Sequence, residues 1–283
     1  MAVVEKGRGV SDGVSTSEER FGEWVAVRRD ADSGVAELVL DRVPAMNAVS
    51  SAMARGIAEA CAALAAAPAR EVRAVVLSST HERAFCVGAD LKERNGFTDA
   101  DLGRQRPVAR AAYGGVLNLP MPVIAAVHGY ALGGGFELAL SCDVIVADPT
   151  AVVGLPEVTV GVIPGGGGTQ LLPRRVGAAR AAELIFTGRR VAADEALALG
   201  LIDVAAERGE DRTRALELAA GIAANSPVGL RAAKRALRTG HGLDLATGLE
   251  VEDAAWRTVA FSADRAEGVA AFNAKRRPAW PGE

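Results

Sequence analysis

Cysteine is scarce in this chain. Cys61, Cys86 and Cys142 are its three cysteines, too few for a disulfide framework, and they read as free thiols of a reducing compartment. Aromatic residues make up 4% of the sequence, which argues against the stacked platforms that hold single-stranded nucleic acid. Neither sign of charge dominates: 32 Lys and Arg against 35 Asp and Glu leave a net charge of −3, so no bulk basic field displaces counterions from a phosphate backbone. No run of 18 apolar residues occurs. The nearest, residues 123–140, is interrupted by His128, four glycines and Glu137 and is too broken to span a bilayer. His81, His128 and His241 show no metal-ligand spacing, so no metal is expected. The first twenty residues are polar and lack the apolar stretch of a secretory signal. They read as a mobile tail, and the location expected is cytoplasmic.

What is present is an alternation of short β-branched runs with helical patterns. Apolar types fill 49% of the 283 residues, ample for a buried core. Residues 25–27 and 35–40 read as strands joined by the turn Asp32-Ser33-Gly34. Residues 50–66 read as an alanine-rich helix capped by Ser50 or Ser51. Residues 72–77, 122–127 and 142–147 are apolar runs at helix-separated intervals, the pattern of parallel strands covered on both faces. The stretch 95–119 holds Pro107 and Gly114-Gly115 and is expected to be helix with loops. Beyond residue 205 strand signals stop, and 212–224, 227–239, 244–261 and 262–275 all look helical, with Ser226-Pro227 and Ser262 as starts. The expected organisation is a tail over 1–20, an α/β core over 21–205 and a helical region over 206–283.

The densest glycine signals are Gly133-Gly134-Gly135 and the run 165–168. The first lies between a strand and a helix, where free backbone N–H groups meet a positive dipole end and suit a phosphate, a carboxylate or a developing oxyanion. A tight turn needing glycine for close packing gives the same pattern, and glycine alone does not separate the two. Neither GxGxxG nor a Walker lysine is present. Glu137 sits one turn into the following helix among apolar neighbours, and Glu157 lies in the apolar segment Gly154-Leu155-Pro156-Glu157-Val158. Burial there raises a carboxyl toward acid/base range, and two such carboxyls make a candidate acid/base pair. A third strand exit, 85–92, offers the Ala89 N–H as a candidate second donor, and a simple exit with Asp90 as a helix cap gives the same spacing. A developing enolate is compensated by two donors and left half-compensated by one.

These segments, AFCVGADLKE (84–93), VIAAVHGYALGGGFELALSCDVIVA (123–147) and GLPEVTVGVIPGGGGTQLLPRRVG (154–177), resemble the crotonase family, the enoyl-CoA hydratases and isomerases. The resemblance extends over about residues 22 to 283. It implies an α/β fold with a spiral ββα core and a C-terminal helical region that assembles a homotrimer or a hexamer. It implies that Ala89 and Gly134 hold a thioester oxygen, that Glu157 protonates C2 and that Glu137 activates the water added to C3. Coenzyme A would be part of the substrate, with no separate cofactor. By position, Ala45, Met46, Asn47, Cys86, Gly88, Asp90, Leu91, Gly133 and Gly165 would flank the acyl-CoA, Lys92 would lie near its phosphates, and Phe272 and Lys275 would reach a neighbour's site.

The expected activity is therefore hydro-lyase: syn addition of water to a 2-enoyl-CoA, giving a 3-hydroxyacyl-CoA in fatty acid metabolism. Within the family the chain is most similar to the branch containing 3-methylglutaconyl-CoA hydratase, through GADLKER (88–94), IPGGGGTQ (163–170) and DLATGLEVE (244–252). That activity is one alternative; Δ3-Δ2-enoyl-CoA isomerase and carnitinyl-CoA-type dehydratase are the others. Some members of the branch bind RNA through lysines of an early helix. Residues 50–66 offer one cation, Arg55, and carry Glu59, so no nucleic acid is expected as a partner. The acyl pocket wall is assigned to residues 94–119, where Arg94, Arg104, Arg106 and Arg110 are available to pair a second carboxylate on the substrate.

Overall fold

The computed structural model describes residues 7–8 and 16–283. Along the chain, β1 (Gly7–Arg8), β2 (Thr16–Arg20), β3 (Val25–Asp30) and β4 (Val35–Leu40) precede α1 (Ser51–Ala66). Then come β5 (Ala74–Ser79), β6 (Ala84–Cys86), α2 (Leu91–Arg94), α3 (Asp99–Leu117), β7 (Val123–Val127), β8 (Tyr130–Leu132) and α4 (Gly134–Ser141). Next are β9 (Val144–Ala147), β10 (Val152–Gly154), α5 (Gly168–Val176), α6 (Ala178–Thr187), β11 (Val191–Ala192), α7 (Ala193–Ala198) and β12 (Val204–Ala205). Four helices follow: α8 (Asp211–Ala223), α9 (Pro227–Gly240), α10 (Leu245–Ala260) and α11 (Ala263–Asn273).

Two sheets result. The larger has the order β1-β2-β3-β4-β5-β7-β9-β12, antiparallel through β4 and parallel from there on. Its side chains alternate between two cores. Val75, Leu77, Val123, Ala125, Val127 and Ile145 join the core that contains α1 and α3. Ala74, Val76, Ile124, Ala126 and Val146 point the other way and meet Ala215, Ala219 and Ala223 of α8. The boundary at 205 thus marks where strand signals end and not where the core ends, since α8 covers one face of the sheet.

Local chemistry accounts for the element ends. Ser50 caps α1 by accepting the Met53 N–H at 3.2 Å, and the helix buries Met53, Ile57, Cys61 and Leu64 on one face. Pro227 opens α9 behind the Ser226 cap, as expected. Two expectations change. Residues 16–20, assigned to the tail, form β2, between β1 and β3 of the large sheet. This strand has no apolar face to signal it, and is held by its ladder with β3 and by cross-strand pairs of Glu18 with Arg28 and Glu19 with Arg29, both at 2.8 Å. The remainder of the tail other than β1, residues 1–6 and 9–15, lies outside the described residues. Residues 99–117 form one continuous helix despite Pro107, started by a Thr98–Asp101 capping box. The helix packs tightly on α1: a Cβ on Gly115 would lie 3.0 Å from Cys61 Cβ.

Candidate active site

The smaller sheet, β11-β10-β8-β6, positions the site. Its strands β6, β8 and β10 are parallel and end side by side, with Cys86 opposite Ala131 and Leu132 opposite Gly154. Each is followed by one candidate motif: Gly88-Ala89 after β6, Gly133-Gly134 after β8 and Glu157 after β10. Carboxyl ends of parallel strands leave a crevice in which ligands bind. Here a cavity of about 640 Å³ opens there, bordered by Ala89, Gly134, Glu137 and Glu157 among others.

The exits touch. Gly88 adopts φ +90°, and a Cβ there would approach the Leu132 carbonyl oxygen to 2.8 Å and the Gly134 nitrogen to 3.0 Å. Glycine is required by both the backbone angle and the space. Gly133, at φ +52°, would place a Cβ 3.0 Å from Glu157 Oε1. Among the described residues, neither the Ala89 nor the Gly134 N–H donates to a protein acceptor. The neighbouring amides of Val49 and Asp90 pair across a short bridge and leave Ala89 between them unpaired. Gly134 is the first residue of α4, so its N–H has no partner within the helix and lies at the positive end of the dipole.

Glu137 is 2% exposed. Its Oε1 accepts the N–H groups of Gly166 and Gly168, both at 2.7 Å, so the four-glycine run serves as a clamp that fixes this carboxyl and leaves Oε2 available. Burial raises its pKa and those amide donors oppose the rise. Glu157 stands at the start of a single 3-10 turn, residues Glu157–Val160. Its Oε2 is buried and has no hydrogen-bond partner among the described residues. Burial, with the Glu137 charge adding to it, pushes this carboxyl up to about 7. Two carboxyls beside two unpaired amides can move protons next to a carbonyl whose oxygen is held as it gains charge.

The remaining expected positions divide. Met46, Gly88, Leu91, Gly133 and Gly165 border the cavity. Met46 and Asn47 both have positive φ, 50° and 55°. The bend is held by the Asn47 amide, which donates to Ser79 Oγ at 2.7 Å and to the Phe85 carbonyl at 2.9 Å. Cys86 is fully buried, donates its thiol to the Asn47 carbonyl, and is pushed up to about 12 by burial, so it is no nucleophile. Asp90 caps α2 and pairs with Arg42 at 2.7 Å. Ala45 and Lys92 lie outside the cavity lining, as do the exposed Phe272 and Lys275 of the C-terminal end. His128 bridges Asp211 at 2.9 Å and the His81 carbonyl at 2.6 Å, a structural tie between a strand exit and α8.

One bordering residue was not named from sequence. Tyr113 of α3 is 7% exposed, and its ring lies against Gly166: a Cβ there would sit 2.7 Å from the Tyr113 Cδ1 and 2.8 Å from Glu137 Oε2. A Cβ on Gly134 would overlap the Tyr113 hydroxyl. Burial and the Glu137 charge hold this phenol protonated. The signal was its spacing from Arg106 and Ala109, seven and four residues along one helix face that borders the cavity.

The sequence pattern of the family described as enoyl-CoA hydratase/isomerase matches residues 30–283. The chain belongs to the enoyl-CoA hydratase/isomerase family. Rat mitochondrial methylglutaconyl-CoA hydratase is 39% identical over 282 residues, covering 98% of this chain and 87% of the relative. The bovine mitochondrial enoyl-CoA hydratase domain-containing protein 2 is 41% identical over 256 residues, 89% of this chain and 86% of the relative. The crystal structure of an enoyl-CoA hydratase from Bacillus anthracis superimposes with a TM-score of 0.87 at 40% identity, over 92% of this chain and all of that one. The crotonase-type α/β fold expected from sequence is the fold observed. Among the described residues no group of His, Cys, Asp and Glu is placed to hold a metal ion, and no helix is long and apolar enough to cross a membrane.

Proposed function

We propose that this family member is an enoyl-CoA hydratase, adding water across the C2–C3 double bond of a 2-enoyl-CoA to give a 3-hydroxyacyl-CoA. The observation that carries this reading is the pair Glu137 and Glu157 bordering one cavity beside the unpaired Ala89 and Gly134 amides. In this reading the two amides hold the thioester oxygen and stabilise the enolate. Glu137, clamped by Gly166 and Gly168, accepts a proton from the water whose oxygen bonds to C3. Glu157, protonated up to about pH 7, gives its proton to C2. Atoms balance as one water added, and the proton taken up by Glu137 returns to Glu157 through solvent.

The coenzyme A part of the substrate would lie along Met46, Gly88 and Leu91. The C-terminal helices expose Leu237, Leu245, Trp256 and Phe261 at 64–90%, an apolar surface suited to the trimeric or hexameric assembly expected from sequence. A dicarboxylic substrate is the second reading, favoured by the rat methylglutaconyl-CoA hydratase likeness.

Incubation with crotonyl-CoA in deuterated water tests the reaction class. The expected product is the 3-hydroxy thioester with one deuterium at C2. A shifted double bond with no hydroxyl would make the protein an isomerase and overturn the assignment.

A further inference from the structure

Four arginines in residues 94–110 were available from sequence, and the structure sorts them. Arg104 turns away to pair with Asp101 at 2.6 Å, and Arg110 is absent from the cavity lining. Arg94, Arg106 and Arg190 border the cavity. Arg190 lies over the Tyr130 ring, 5.9 Å from its centroid. Arg94 places its Nε 3.2 Å from the Gln105 amide oxygen, a contact that orients the guanidinium without neutralising it.

Arg106 has no hydrogen bond or ion pair among the described residues, whereas Arg28, Arg29, Arg212 and Arg238 each pair with a carboxylate. Its Nη1 would lie 2.8 Å from a Cβ on Gly165. That places it over the outer lip of the glycine loop, one residue before the Gly166 amide that clamps Glu137. The two buried glutamates do not take this charge: Glu137 is held by amides, and Glu157 keeps an orphan oxygen. The cavity is also bordered by apolar side chains, Ala109, Val160, Val162 and Ile163. One cavity therefore offers an acid pair, apolar walls and a guanidinium with no protein partner among the described residues. A short hydrocarbon chain ending in an anion matches it.

We propose that Arg106, with Arg94 on the same cavity, pairs a carboxylate at the far end of the acyl chain, so that the preferred substrate is a short dicarboxylic 2-enoyl-CoA. This rests on the acyl-CoA reading of the cavity. Arg106 is exposed in the free protein, and an acyl chain laid against the apolar walls excludes water from it as the pair forms, which is where a planar bidentate guanidinium gains most.

The test compares substrates of equal length. Glutaconyl-CoA and 2-pentenoyl-CoA both have five acyl carbons and differ in a terminal carboxylate against a methyl. Hydration kinetics are measured for the wild type, Arg106→Leu and Arg106→Lys, and calorimetry gives the affinities of the saturated analogues glutaryl-CoA and pentanoyl-CoA. The wild type is expected to favour the carboxylate member of each pair by about 10–100-fold, as for one hydrogen-bonded charge pair. Arg106→Leu should erase that preference, chiefly through KM, while its values for the methyl-ended members stay within about twofold of wild type. Arg106→Lys should fall between. Equal affinity of the wild type for both analogues overturns the proposal. So does an equal loss on both in Arg106→Leu, which would assign the arginine to the phosphates common to every acyl-CoA or to the fold. Carboxylate-selective binding without hydration of either substrate would uphold the proposal and sink the hydratase reading instead.

Discussion

Glu157 is the residue whose environment is least like that of an ordinary carboxyl: partly buried, one oxygen without a donor, and pushed up to about 7. Because this lies above the ordinary 4.5, the protonated side chain stabilises the fold below that value, and the contribution is lost as pH rises through about 7. Glu157→Gln should therefore raise the melting temperature more at pH 8 than at pH 5. A gain that shrinks with pH would contradict the burial argument. The same value bears on rate. If Glu157 must be protonated in the free enzyme, kcat/KM falls above about pH 7, while ionisation of Glu137, itself raised from 4.5, sets the acid limb; a bell-shaped profile reports the two as a coupled pair. At this scale the sequence was informative where chemistry and glycine coincide. Both glutamates stood out because a charged residue in an apolar, glycine-flanked run is unusual. Tyr113 did not, and Arg106 was named only as one of four arginines, because their meaning depends on which way α3 is turned, and the interruptions at Pro107 and Gly114-Gly115 hid its register.

Among the elements, the three parallel strand ends of the small sheet do most to build the site. The glycine and acid segments that follow them stood out in the sequence, while the runs read as strands, 72–77, 122–127 and 142–147, belong to β5, β7 and β9 of the large sheet. Strand adjacency is a long-range property that no local periodicity encodes. What the sequence did contain was the consequence, a glycine at each crossing. Gly88→Ala combines positive φ with a Cβ 3.0 Å from the Gly134 nitrogen, so it should lower kcat by about 10²-fold or more by displacing one amide donor, while the far-ultraviolet dichroism stays that of the wild type. Unchanged kcat in a folded variant would show that this exit tolerates displacement. The strand β2 was missed for the opposite reason: its stability lies in a hydrogen-bond ladder and ion pairs, and the pattern TSEER has no buried face.

For the whole molecule, α8 joins the sheet through an apolar face, and α9 is tied in by charge. Lys234 of α9 is 8% exposed, donates to the Met121 carbonyl at 2.8 Å and pairs with Asp143 at 2.7 Å, and Arg238 reaches the same carboxylate at 2.8 Å. Lys234→Met leaves Asp143 one cation and the Met121 carbonyl no donor, at a cost of about 1–3 kcal/mol, measurable by urea unfolding; no change in midpoint would mean the tie is not structural. The exposed Leu245, Leu249 and Trp256 share one face of α10. In an assembly that buries this face, Trp256→Glu should shift the mass measured by light scattering from a trimer or its multiple toward the monomer. A wild-type mass of one chain at micromolar concentration would refute the assembly. The central claim concerns two acids acting as one unit on one double bond, and it is tested most directly by the kcat of crotonyl-CoA hydration in Glu137→Gln, Glu157→Gln and the double variant. Each single substitution is expected to cost about 10²–10⁴-fold, and the double about as much as the more damaging single, because members of a catalytic unit fail together. Activity within tenfold of wild type in either single variant, or losses that multiply in the double, would contradict it.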